Sequence, residues 1–159
     1  MDRKSNCELI LRIATLNDVE QLVKLRINYL QEQGNVENGD ALRDKLNTYF
    51  EKTLREKTFV GIIAEKNNQI CATVFCSIAE RPPRRANQSS KVGTIYNVYT
   101  YPQYRRQGIA TTVLKRLCVE VEKQDISVLD LCASEQGKIL YEKLGFEIPK
   151  YTYMRRIME

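Results

Sequence analysis

The stretch YPQYRRQGIATTVLKRLC, Tyr101 to Cys118, joins a proline-containing turn to a run with helical periodicity. Ala110, Val113, Leu114, Leu117, Cys118 and Val121 recur three and four apart, so they share one apolar face of a helix from about Gln107 to Lys123. Arg105, Arg106, Gln107 and Gly108 stand just before that face. Basic residues disfavour a helix start, where the first N–H groups lack internal partners and the dipole is positive, unless an anion is present. A glycine lets a ligand approach the backbone with no Cβ between them. The stretch therefore reads as an anion cradle for phosphate or pyrophosphate, with the arginines as charge-assisted donors. It is neither G-x-x-x-x-G-K-[ST] nor G-x-G-x-x-G, because Gly108 stands alone.

Outward from this helix the chain alternates. VGTIYNVYTY before it and SVLDLCA after it read as strands, and SEQGKILYEKLG as a further helix. KYTYMRRIM reads as a closing strand. Upstream, TFVGIIAE and QICATVFCSIA read as a hairpin whose connection, KNNQ, supplies asparagines that tolerate positive φ. Leu9 to Ile13 reads as a first strand. Thr15 with Asp18 resembles an acidic capping box, and Val19, Leu22, Leu25 and Tyr29 follow at helical spacing. Glu32 to Asp40 breaks that helix. A second one carries Leu42, Leu46, Tyr49, Phe50 and Leu54 on one stripe. Strand–helix–strand order implies parallel pairing in the second half, and the hairpin antiparallel pairing in the first. The expected fold is α/β with an α+β mixed sheet flanked by helices.

The chain has 159 residues, enough for one domain spanning 1–159 with a real core. Its formal net charge of +5 suits an anionic ligand without indicating nucleic acid. There is no histidine, so a Ser-His-Asp triad, a Cys-His pair and a His-ligated zinc site are excluded. The five cysteines contain no C-x-x-C, and we expect reduced thiols, mostly buried, in a cytoplasmic protein with no metal. The N-terminus does not read as a signal peptide, and no stretch approaches transmembrane length. Arg81 to Lys91 reads as a basic surface loop.

RRQGIA, Arg105 to Ala110, resembles the [Q/R]-x-x-G-x-[G/A] signature of the GNAT superfamily of N-acetyltransferases. YNVYTYPQYRRQGIA resembles that family's fourth strand and pyrophosphate loop. ASEQGKILYEKLGFE resembles its later L-Y-x-x-L-G-F motif, and the resemblance covers about 10–159. It implies that strands four and five splay apart around acetyl-CoA, used as co-substrate. It implies that Val98, Tyr99 and Thr100 pair with the pantetheine arm as an added strand would. It also implies that Arg105, Arg106, Gln107, Gly108, Ile109 and Ala110 hold the pyrophosphate. Tyr141 matches the tyrosine that protonates the departing thiolate. Ser134 stands where many members carry an asparagine that contacts the cofactor.

The resulting expectation is an acetyl-CoA-dependent N-acetyltransferase acting on a primary amine by direct attack in a ternary complex. The acceptor is a small-molecule amine or a peptide amine, bound around Gln31 to Asp44, which carries Glu32, Glu37, Asp40 and Asp44, and around Tyr151. Val98 or Tyr99 supplies the N–H that polarises the thioester carbonyl. Glu80 and Tyr96 stand as alternatives for the base. A homodimer stays open, and neither a nucleic acid nor a membrane is an expected partner. Two other classes compete: a non-catalytic acyl-CoA-binding module on the same fold, and a basic nucleic-acid-binding surface built from Arg81, Arg84, Arg85, Arg105 and Arg106.

Overall fold

Local chemistry sets both ends of the first elements. In the computed structural model, which describes residues 8–34, 39–83 and 89–158, β1 (Ile10–Ile13) leads into a capping box. The Thr15 hydroxyl accepts from the Asn17 N–H at 3.3 Å, and the Asp18 carboxylate accepts from the Thr15 N–H at 2.8 Å. A 3-10 turn, Leu16–Asp18, then opens into α1 (Val19–Glu32). After α2 (Asp40–Arg55) come β2 (Phe59–Lys66) and β3 (Gln69–Glu80). Asn67 and Asn68 join these two strands at φ values of 53° and 59°. Those are the backbone angles that a two-residue hairpin needs and that asparagine tolerates.

The chain continues through β4 (Lys91–Thr100), α3 (Ile109–Glu122), β5 (Val128–Leu131) and α4 (Glu135–Lys143). The strands form one sheet in the order β1-β2-β3-β4-β5. The first three pairings are antiparallel, and β4 with β5 is parallel. This is the mixed sheet expected from the alternation of periods.

Each face of the sheet buries its own cluster. On one, Leu22, Leu25, Phe50, Phe59, Ile63 and Phe75 join α1 and α2 to the strands. On the other, Ile62, Val74, Ile95, Val113, Leu114 and Leu117 hold α3, with Leu140 of α4 and Leu144 just after it packed at its border. Phe50 is the hub of the first cluster. Its ring lies edge-on to Phe59 at 5.3 Å and to Phe75 at 5.5 Å between centroids, the favoured arrangement for aromatic pairs.

The closing strand expected from KYTYMRRIM is not formed. Tyr151, Tyr153, Met154, Ile157 and Met158 are exposed and carry no strand pairing. The edge that such a strand would join, β5, has only four residues, and Pro149 has no N–H to donate to a ladder. Local contacts replace the ladder: Lys150 lies over the Tyr151 ring and Arg155 over the Tyr153 ring, each at 5.8 Å. Arg84, Arg85 and Glu37 lie outside the described residues.

Phe50→Ala empties the centre of the α1–α2 cluster. We expect a loss of about 3–5 kcal/mol in folding stability, read from the midpoint of urea denaturation at an unchanged slope.

Candidate active site

The site begins where β4 and β5 part. Parallel pairing runs from Val92 beside Val128 to Ile95 beside Leu131 and then stops, although β4 continues to Thr100. On the other edge, Tyr96 pairs with Phe75 and Tyr99 with Thr73, so Asn97 and Val98 together oppose Val74. This is a β-bulge, with Asn97 in the left-handed region at φ 52°. The extra residue reverses the alternation. Tyr96 faces the α1–α2 cluster before it, and Tyr99 and Tyr101 face that cluster beyond it.

The bulge also decides which backbone groups are open. Tyr101 N–H donates to the Cys71 carbonyl at 3.0 Å. Ladder alternation then turns Tyr99 toward β3, and the N–H and C=O of Val98 and Thr100 to the outer edge. The Thr100 carbonyl on that edge accepts from Arg105 Nε at 2.8 Å.

The helix α3 starts beside this edge. Gly108 has φ 76°, no side chain caps the helix, and a Cβ added at Gly108 would meet nothing within 4 Å. Ile109 is buried and fixes the first turn to the core, while the Thr112 hydroxyl and N–H both donate to the Gly108 carbonyl at 3.1 Å. An open approach to uncapped N–H groups fits an anion. Gln107 is anchored by Lys66, whose Nζ donates to Oε1 at 3.3 Å.

The two arginines divide their work. Arg105 grips both carboxylate oxygens of Glu32 at 2.8 and 2.7 Å, and its guanidinium lies 6.0 Å from the centre of the Tyr99 ring. The Arg105 and Glu32 side chains are thus paired with each other. Glu32 also accepts from the Tyr99 hydroxyl at 3.3 Å, and burial followed by this carboxylate pushes Tyr99 up to about 12. Arg106, at φ 61°, is exposed and has no ion-pair partner among the described residues.

Helix α4 places Tyr141. The Ser134 hydroxyl accepts from the Gly137 N–H at 3.1 Å and caps the helix, and Gly145 ends it at φ 87°. The half-buried Tyr141 ring meets Phe146 edge-on at 5.9 Å. It folds back over Gly137, where a Cβ would stand 3.0 Å from Tyr141 Cε2. Burial raises the Tyr141 pKa, and Tyr29 of α1 adds to the rise. Tyr141 keeps its proton at neutral pH.

Neither suggested base is supported. The Tyr96 hydroxyl pairs with that of Tyr49 at 3.0 Å, and burial pushes its pKa far up, so it holds its proton. Glu80 pairs with Lys91, about 20 Å along β4 from Asn97 at roughly 3.3 Å per residue. Burial also raises the thiols of Cys71 and Cys118, and that of Cys76 to about 12, while Cys132 is exposed.

Sequence reasoning missed Asn97 and Arg26. Asn97 is 1% exposed; its Oδ1 accepts from Arg26 Nη1 at 3.4 Å, and its Nδ2 is buried without a partner. The available signal was an asparagine inside a strand of tyrosines and valines, where it is disfavoured unless the backbone turns.

Comparison with known proteins decides the family. A model described as acetyltransferase (GNAT) domain matches residues 57–148, more than half of the chain. The chain belongs to the GNAT family. It is 34% identical to a predicted acetyltransferase from Clostridium acetobutylicum solved with acetyl-CoA, with a TM-score of 0.84 over 94% of this chain and 96% of that one. The [ribosomal protein bS18]-alanine N-acetyltransferase of Escherichia coli is 39% identical over 56 residues, which cover 33% of this chain and only 38% of that protein. A ribosomal-protein-alanine N-acetyltransferase from Brucella melitensis shares the fold, with a TM-score of 0.70 at 19% identity over 95% of this chain and all of that one, 100%.

Gly108→Val fills the space before the uncapped N–H groups and forces a branched residue into the left-handed region. We expect acetyl-CoA affinity to fall at least tenfold, about 1.4 kcal/mol, by calorimetry on folded protein. Unchanged affinity would remove the cradle.

Proposed function

We propose that this GNAT protein is an acetyl-CoA-dependent N-acetyltransferase acting on a primary amine. The observation that carries the reading is the meeting of two features: the outer edge of β4 left unpaired by β5 from Val98 onward, where the Thr100 carbonyl meets only Arg105 Nε among the described residues, and the uncapped start of α3 at Gly108. Together they fit an extended amide-bearing arm that ends in an anion. The backbone at Val98 and Thr100 would hold the arm, and the N–H groups after Gly108 the pyrophosphate, with Arg106 as a further cation. Acetyl-CoA supplies an acetyl group activated as a thioester.

The rest of the chemistry belongs to the chain. Val98 N–H, held on the outer edge by the bulge, is the donor for an oxygen that gains negative charge. Tyr141 holds its proton at neutral pH and would give it to the departing thiolate, whose conjugate thiol has a pKa near 8.5. The amine reacts as its neutral form, a small fraction at pH 7 for an alkylamine of pKa near 10.4, and its proton passes to water.

The raised thiol pKa values of Cys71, Cys76 and Cys118 argue against these three as acyl carriers, since the thiolate is the nucleophile. Direct transfer in a ternary complex is the simpler route, and intersecting double-reciprocal plots are the expected kinetic pattern. Parallel plots, or an acetylated cysteine trapped by mass spectrometry, would overturn it.

Tyr141→Phe keeps the ring against Phe146 and removes only the proton. We expect kcat to fall about 10²-fold, the low end for a general acid because the leaving thiolate is fairly stable, with little change in acetyl-CoA affinity. An unchanged kcat under rate-limiting chemistry would reduce Tyr141 to a packing residue. Acetyl-CoA binding without turnover on a broad amine panel would favour the non-catalytic module instead.

A further inference from the structure

Arg26 and Asn97 form a pair that the proposed transfer does not use. Arg26 projects from α1 and is half-buried, with its guanidinium 5.6 Å from the Tyr29 ring centre and 5.4 Å from that of Tyr96. Two aromatic faces hold the planar group and leave its edge as the polar surface. No carboxylate pairs with it among the described residues. Its one side-chain partner is the amide oxygen of Asn97, at a long 3.4 Å.

That contact fixes the amide. Arg26 has only donors, so Oδ1 must face it and Nδ2 must face away. Nδ2 then lies buried with no partner among the described residues, and such a group is costly if nothing satisfies it. Asn97 precedes Val98 at the bulge, so the pair borders the place where the acceptor amine would meet the acetyl group.

An amine binding there finds the Arg26 charge with no carboxylate among the described residues to answer it. We propose that the acceptor carries a carboxylate close to its amine, as a free α-amino acid does, and that Arg26, held in place by Asn97 Oδ1, binds that carboxylate. This rests on the acetyltransferase reading and specifies its substrate class. Tyr29 and Tyr96 wall the guanidinium from water, which strengthens a carboxylate contact at its edge.

The test uses matched acceptors with the full chain: L-amino acids, the amines left by their decarboxylation, their primary amides, and phosphoethanolamine against ethanolamine. The expected result is a kcat/KM for amino acids at least about 30-fold above the decarboxylated amines and the amides, carried mainly by KM. Arg26→Gln should remove that preference while leaving the KM for acetyl-CoA and the rate with decarboxylated amines within about threefold. Asn97→Asp keeps a residue that tolerates positive φ, and it should lower the same preference at least tenfold by repulsion.

Equal rates with and without the carboxylate overturn the proposal, as does an Arg26→Gln loss that falls equally on all amines. A preference for phosphoethanolamine over every amino acid, or for amides over acids, also overturns it. Calorimetry of amino acids against the CoA-loaded protein separates the two readings. Arg26-dependent binding without turnover keeps the carboxylate site while the transferase reading fails, and no Arg26-dependent binding sinks the site itself.

Discussion

The bulge at Asn97 is the constraint on which the site depends. One residue at φ 52° shifts the register between Tyr96 and Tyr99. Past it, β4 no longer follows β5, so a strand that is interior for its first half becomes an edge for its second. An open edge inside a protein invites pairing with another chain. Here α3 and α4 flank it, so the access that remains suits something narrower than a strand of protein. The same residue keeps a buried amide without a partner at that point, so the turn and the unmet donor have one origin.

The second constraint ties the two faces of the sheet together. Arg105 lies in the loop before α3, and Glu32 ends α1, yet they meet through two short hydrogen bonds. The pair is largely exposed, and such pairs add about 0–1 kcal/mol. Its importance is positional. It draws the loop that precedes Gly108 toward the end of the helix that carries Arg26 and Tyr29, and the Tyr99 hydroxyl braces the same carboxylate.

What the sequence made legible was local. The capping box at Thr15 and Asp18 and the hairpin at Asn67 and Asn68 each rest on residues within three positions of one another, and each formed as expected. Apolar spacing sufficed for the helices and for the sense of the strands. Contacts between distant residues were not legible. Arg105 and Glu32 are 73 residues apart, and Arg26 and Asn97 are 71 apart, so no spacing rule pairs them. Charge alone says nothing of the carboxylate nearest to Arg105. KYTYMRRIM failed for a related reason: its alternation fits a strand, but strand formation needs an edge, and β5 provides a short one.

Gly137 sits inside a helix of nine residues, where glycine costs about 1 kcal/mol against alanine. The missing methyl leaves a recess, and the ring of the residue one turn later fills it. A phenol laid into its own helix has few rotamers left to lose. Its ordering is completed when the chain folds, so little conformational entropy remains to be surrendered each time a substrate arrives. The helix is weaker for this glycine, and in the proposed transfer its tyrosine would start from a position already fixed.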